Sequence, residues 1–179
     1  MLCFLFLRLM QLPLSPKELE LVRITGVCAD ELNVTCYLVG GFVRDKLLGR
    51  SCKDLDFVCL GDGIALAHAV ANRFQPKPKV SFFKNFGTAH LQADGFDLEF
   101  VGARKESYAH HSRKPVVEEG SLEDDQLRRD FTINAMAVAC NSAEFGQLLD
   151  PFEGIADLKL KIIRTPQEPA QTFSDDPLR

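Results

Sequence analysis

Apolar and polar positions change rhythm several times along this chain, and each rhythm predicts a different element. From Ser15 the spacing is helical. Ser15-Pro16-Lys17-Glu18 supplies an N-cap, a proline at the first helical position and a capping-box glutamate, and Leu19, Val22, Gly26 and Ala29 follow at helical spacing. Cys36-Tyr37-Leu38-Val39 is then a continuous apolar run that leaves through Gly40-Gly41, as a buried strand entering a turn would. A short helix is expected from Val43 to Leu48, closed by Gly49. Leu55 to Leu60 reads as a second strand, and Asp62 caps an expected helix striped by Ile64, Ala67, Ala71 and Phe74. Pro76-Lys77-Pro78 ends that helix.

Strands are expected next over Val80–Phe83, Thr88–Ala93 and Phe96–Val101, with Asp94-Gly95 as a hairpin turn. Residues 105–124 are polar and long for a loop in a compact domain, which predicts a mobile functional segment or a disordered one. A helix is expected over Arg128–Val138, a short strand ending at Leu148-Leu149-Asp150-Pro151, and a short helix over Gly154–Leu160. The sum is an α/β (α+β) domain, a small mixed sheet with helices packed on it.

Composition narrows the setting. With 179 residues, 46% hydrophobic and 26% charged, the chain suits one soluble globular domain with a single core. A formal charge of −4 argues against a self-sufficient nucleic-acid binder, which usually presents a strongly basic face. The six cysteines form no CxxC and no paired Cys/His spacing, so a reduced, cytoplasmic protein is expected rather than a disulfide framework. Leu2 to Leu14 is apolar but broken by Arg8, Gln11 and Pro13, too short to span a membrane and without a signal peptide's flanks. Residues 1–14 are therefore read as an apolar leader of unknown role, ahead of a domain over 15–165 and a further segment over 166–179.

Candidate chemistry concentrates between Gly40 and Asp56, in GGFVRDKLLGRSCKDLD. Asp54 and Asp56 stand two apart on a strand, so both carboxylates face one way while Leu55 faces the core. Such a pair can hold Mg²⁺ beside a nucleoside triphosphate, and two ions need a third carboxylate. Asp97-Leu98-Glu99 offers one at the same period; Glu99 is favoured and Asp97 is its competitor. Gly40 and Gly41 let backbone approach a phosphate, and Arg44 adds a bidentate guanidinium near the next helix's N-terminus. Asp45 could steady Arg44 or a sugar hydroxyl. This constellation predicts a nucleotidyltransferase. No GxxxxGK[ST], GxSxG or HExxH competes with it.

Five ordered stretches then carry a family resemblance: GGFVRDKLLG followed by DLD, EFVGARKESY, LRRDFTINAMAV, DPFEGIADLKLKIIRTP and FSDDPLR. From about residue 32 onward the chain resembles the bacterial CCA-adding tRNA nucleotidyltransferases and their poly(A) polymerase relatives. The resemblance implies a polymerase β-like fold, Mg²⁺ at Asp54, Asp56 and Glu99, and nucleotide contacts from Arg128, Arg129, Asp130 and Asn134. Asp176 and Arg179 match the family's template for the incoming base, although Asp175 stands where the family has Glu. A carboxylate accepting from an exocyclic amine and a guanidinium donating to the adjacent ring nitrogen would read C and A and reject U and G.

The implied activity is CCA addition to the tRNA 3′ end from CTP and ATP, with neither a membrane nor a stable protein partner. Poly(A) addition, CC-only or A-only addition, and a head inactive without RNA-binding helices remain the alternatives. The chain stops at Arg179, in what the resemblance makes the first turn of a further helix, so a catalytic head followed by a helical neck is expected.

Overall fold

Ser15 caps the first helix, α1 (Pro16–Glu31), with the full capping box: the Ser15 hydroxyl accepts from the Glu18 N–H, and Glu18 accepts from the Ser15 N–H. The computed structural model describes residues 12–84, 87–107 and 116–177. After α1 come β1 (Thr35–Val39), α2 (Gly41–Leu47), β2 (Asp54–Leu60), α3 (Gly63–Ala71), β3 (Ser81–Phe83), β4 (Thr88–Ala93) and β5 (Phe96–Gly102). β6 (Arg104–Ser107), β7 (Val116–Glu119), α4 (Leu122–Leu127), β8 (Ala137–Ala139), β9 (Leu148–Leu149), α5 (Gly154–Leu160) and α6 (Pro169–Asp175) complete the order. Of the apolar leader only residues 12–14 are described, and Leu12 is buried in the main core.

Seven strands form one mixed sheet in the order β3-β4-β5-β2-β1-β8-β9. β2 pairs in parallel with β5, and the other pairings are antiparallel. Period-two alternation sends Leu38, Leu55, Phe57, Leu91, Leu98 and Phe100 into the main core, against Val22 of α1 and Leu66 and Val70 of α3. Phe57 and Phe100 stack with ring centroids 5.2 Å apart. The opposite face carries a smaller apolar cluster of Tyr37, Val39, Val58, Ala103, Leu122, Ala137 and Ala139. Beside that cluster the same face turns polar. α1 lies very close to the end of β8: a Cβ on Gly26 would stand 1.9 Å from the Cys140 carbonyl oxygen. Among the described residues no helix is long and apolar enough to cross a membrane.

Two sequence expectations fail here. The polar stretch over 105–124 is not one long loop, because β6 and β7 pair antiparallel and α4 begins at Leu122; residues 108–115 lie outside the described set. Nor is Arg128–Val138 a helix. α4 ends at Arg128, Phe131 is extended, Thr132–Asn134 makes one 3₁₀ turn, and β8 follows. Only its apolar end, Met136 to Val138, belongs with the strand, and a short apolar run does not distinguish helix from buried strand. Met136 and Val138 enter the main core while Ala137 and Ala139 enter the smaller cluster, as a doubly buried strand requires.

α2 is tied to α1 by a buried ion pair between Lys46 and Glu18, with the Lys46 ammonium also 5.2 Å from the Phe42 ring centroid. Burial alone would raise the Glu18 carboxyl, but Lys46 and the Ser15 hydrogen bonds outweigh it and hold the group below its ordinary value. Its stabilising contribution is therefore complete above the ordinary carboxyl range and is lost as pH falls through the lowered value. Replacing Lys46 with Met strands a buried carboxylate, and urea unfolding at neutral pH should show a loss of about 3 kcal/mol. That deficit should shrink as the medium is acidified enough to protonate Glu18.

Candidate active site

β2 and β5 place four carboxylates side by side. Parallel register sets Asp54 opposite Asp97 and Asp56 opposite Glu99, and all four share the face away from buried Leu55 and Leu98. The same register runs on across the sheet, so that Ser81, His90, Glu99, Asp56 and Val39 stand in one transverse row. The two candidates for the third carboxylate differ in their company. Asp97 accepts hydrogen bonds from β4, from His90 Nε2 at 3.2 Å and Gln92 Nε2 at 2.7 Å. Glu99 instead acts on Asp56. Burial, then the Glu99 charge, then Asp54 push the Asp56 carboxyl up to about 6, against an opposing pull from Arg129.

The turn leaving β1 meets these carboxylates directly. Gly40 has φ 76°, a conformation that L side chains rarely adopt. A Cβ there would sit 3.1 Å from Arg129 Nη1 and 3.4 Å from Asp56 Oδ2, so backbone, guanidinium and carboxylate converge at this one point. On α2, Arg44 binds Asp45 through two contacts, Nε to Oδ1 at 3.0 Å and Nη2 to Oδ2 at 3.1 Å. Its third nitrogen, Nη1, donates to Asn134 Oδ1 at 2.7 Å. Asn134 Nδ2 in turn donates to Asp130 at 3.0 and 3.2 Å. Asp45, Arg44, Asn134 and Asp130 thus form a continuous polar chain alongside the carboxylates, although they come from segments far apart in sequence.

Arg128 and Arg129 are held by a residue that sequence reading did not single out. Asp125, fully buried on α4, accepts from Arg128 Nη2 and from Arg129 Nε and Nη2 at 3.0 and 2.9 Å. Its spacing of three and four residues before the arginines is the helical ion-pair spacing, and that was the available signal. Arg129 Nη1 also reaches the Asn134 carbonyl at 3.4 Å, which joins this clamp to the polar chain.

Asp176 is the cap residue of α6 and is not a member of that row. A cavity of about 640 Å³ lined by Phe131, Ile163, Arg164 and Phe173 separates α6 from the segment after Asp130. Arg179 lies outside the described residues.

The donor set fits a hard divalent cation. Oxygen ligands are what such an ion selects, and Asp56, raised by burial first and then by the Glu99 and Asp54 charges, stands where a cation would relieve it. Among the described residues no three His, Cys, Asp or Glu side chains close into a ready-made cage. Mg²⁺ does not need one, since it keeps several waters and takes one or two carboxylates together with substrate phosphates.

Comparison with known proteins gives the family. Residues 36–164 match the family model described as the poly A polymerase head domain. The A-adding tRNA nucleotidyltransferase of Aquifex aeolicus strain VF5 is 48% identical over 143 residues, covering 80% of this chain and 17% of that protein. That of Halalkalibacterium halodurans is 41% identical over 172 residues, 96% of this chain and 39% of that protein. This chain therefore spans well under half the length of these relatives. Among solved structures, a tRNA nucleotidyltransferase complexed with a primer tRNA and an incoming ATP analog superposes with a TM-score of 0.74 at 43% identity. It covers 86% of this chain and 41% of that one. The structure of a CCA-adding enzyme in apo form II gives a TM-score of 0.78 at 42% identity, over 92% and 38%.

The raised Asp56 has a measurable consequence. A folded-state carboxyl above its unfolded value holds its proton more tightly in the native state, so stability falls as pH rises from the ordinary carboxyl range through about 6. Asp56→Asn should therefore stabilise the chain by about 3 kcal/mol near neutral pH and by almost nothing near the unfolded carboxyl value. Thermal melts at the two pH values check this; an equal effect at both would contradict it.

Proposed function

The chain belongs to the poly A polymerase head-domain family, and from that premise we propose that it is the catalytic head of a template-independent nucleotidyltransferase. In this reading it adds C and A residues from CTP and ATP to the 3′ end of tRNA. The observation that carries the proposal is the convergence at Gly40 of the Asp56 carboxylate with Arg129, beside Asp54 and Glu99.

Asp54, Asp56 and Glu99 would hold the Mg²⁺ ions, with Asp97 left to its partners on β4. Bound there, the ions would neutralise charge on the attacking and leaving oxygens. The protein supplies the remainder. Gly40 and Gly41 let backbone lie against the triphosphate, and Arg44 and Arg129 offer guanidinium donors already fixed by Asp45 and Asp125. Arg128, held by the same Asp125, would take phosphate charge with them. Asp130 and Asn134 suit a ribose 2′-hydroxyl, which would favour ribonucleotides. Asp176 and Arg179 would read the base through its amine-and-acceptor edge. In the reaction the RNA 3′-hydroxyl would lose its proton to water. Its oxygen would bond to the α-phosphorus as the bond from that phosphorus to the α,β-bridging oxygen breaks, and pyrophosphate would leave with that oxygen.

A-only addition is a second reading with its own support, because the relatives at 48% and 41% identity are named A-adding. One experiment addresses both. Purified chain, Mg²⁺ and all four ribonucleotides are incubated with tRNA ending before CCA and with tRNA ending in CC, and product ends are sequenced. CCA on the first substrate is expected; growth only on the second would assign A-only addition. Long A tails would assign poly(A) synthesis. Asp54→Ala should lower extension by about a hundredfold or more. If neither tRNA grows while CTP and ATP bind in an Asp54-dependent way, the head needs further RNA-holding structure. Absence of nucleotide binding would end the proposal.

A further inference from the structure

The carboxylate face has two unlike flanks. On one side stand Gly40, Gly41, Arg44, Arg129 and Asn134, rich in donors. On the other, β4 and the edge strand β3 bring Ser81, His90 and Gln92, with His90 opposite Glu99 and Ser81 opposite His90. None of these three has a role in the reaction as described so far. In-line displacement at phosphorus puts attacking and leaving oxygens on opposite sides. If pyrophosphate departs toward the cationic flank, the attacking RNA end enters over β4.

We infer that His90 is the residue that receives that RNA end, accepting a hydrogen bond from the 2′-hydroxyl of its terminal ribose, with Asp97 as the residue that orients the ring. The inference rests on the nucleotidyl-transfer reading above. His90 Nε2 lies 3.2 Å from Asp97 Oδ1, and an ionised carboxylate can only accept, so Nε2 carries the hydrogen. In the neutral ring Nδ1 is then an acceptor. An acceptor repels a phosphate oxygen and matches a hydroxyl. Gln92 Nε2, 2.7 Å from the same Asp97 oxygen, braces the carboxylate that fixes the ring. The His90 side chain is 44% exposed, open to a ligand yet standing in the Asp56–Glu99 row. Directly opposed cross-strand side chains have Cβ atoms about 5 Å apart, so a ribose at Glu99 would be within reach of His90. The arrangement also explains why a second carboxylate sits on β5 beside Glu99.

The test uses the full chain with ¹⁵N-labelled histidine, Mg²⁺ and a non-hydrolysable ATP analogue. The probes are two acceptor-stem RNA minihelices, identical except that one ends in a 2′-deoxyribose. The His90 Nδ1 resonance, assigned with His90→Ala, should move with the ribose-ended RNA and stay put with the deoxy-ended one. Wild type should prefer the ribose end by about tenfold, the ordinary worth of one such hydrogen bond. His90→Ala should remove that preference while leaving ATP-analogue affinity unchanged, which a loss of folding would not do. His90→Gln, which keeps an acceptor, should restore part of it. An unchanged preference in His90→Ala, or a stationary resonance while the analogue is bound, overturns the assignment and leaves the nucleotidyl-transfer reading standing. Failure of the analogue to bind overturns both.

Discussion

Like charges held next to one another against their own repulsion are the constraint around which this structure is organised. Parallel pairing of β2 with β5 fixes Asp54 beside Asp97 and Asp56 beside Glu99, and the core side chains between them leave the strands no freedom to slip. A register shift by one residue would turn every carboxylate into the core and every leucine out. The hydrophobic pattern therefore enforces an electrostatic arrangement that would not form by itself. Burial first, and then that arrangement, raise Asp56, whose proton is held more tightly than an exposed aspartate would hold it.

Relief comes from Arg129, and the manner of its placement matters. An arginine free to swing would collapse onto the nearest carboxylate. Asp125 prevents that by taking Nε and Nη2, which leaves Nη1 as the nitrogen nearest Gly40 and the Asn134 carbonyl. Arg44 is treated likewise: Asp45 takes two of its nitrogens and Asn134 takes the third. Both guanidiniums are thus fixed before any ligand arrives, so little reorganisation is left for binding.

The elements that the sequence made legible are those whose rule is local. The Ser15 capping box, the Asp62 cap, the Asp94-Gly95 hairpin and the period-two run through Asp54 and Asp56 each follow from a few neighbouring residues, and the structure contains all of them. The polar chain from Asp45 to Asp130 was legible only as separate residues, since its members meet through folding. Misreadings arose where tertiary surroundings decided the outcome. Only the end of Arg128–Val138 belongs to β8, where Met136 to Val138 are apolar in succession because the strand is covered on both faces. A short apolar run does not by periodicity separate a doubly buried strand from a helix. Asp125 was overlooked because no helix was expected over Leu122–Leu127, so its spacing of three and four residues before the arginines carried no meaning.

Asp56 and Glu99 are neighbours in space but far apart along the chain, separated by α3, β3 and β4. No excised piece carrying one strand can hold the pair, and parallel strands are joined only through a long crossover connection. Contacts of such long sequence separation are slow to close. Affinity for a ligand held between these carboxylates should therefore appear only once the two strands have paired, and by mass action such a ligand would stabilise the folded chain.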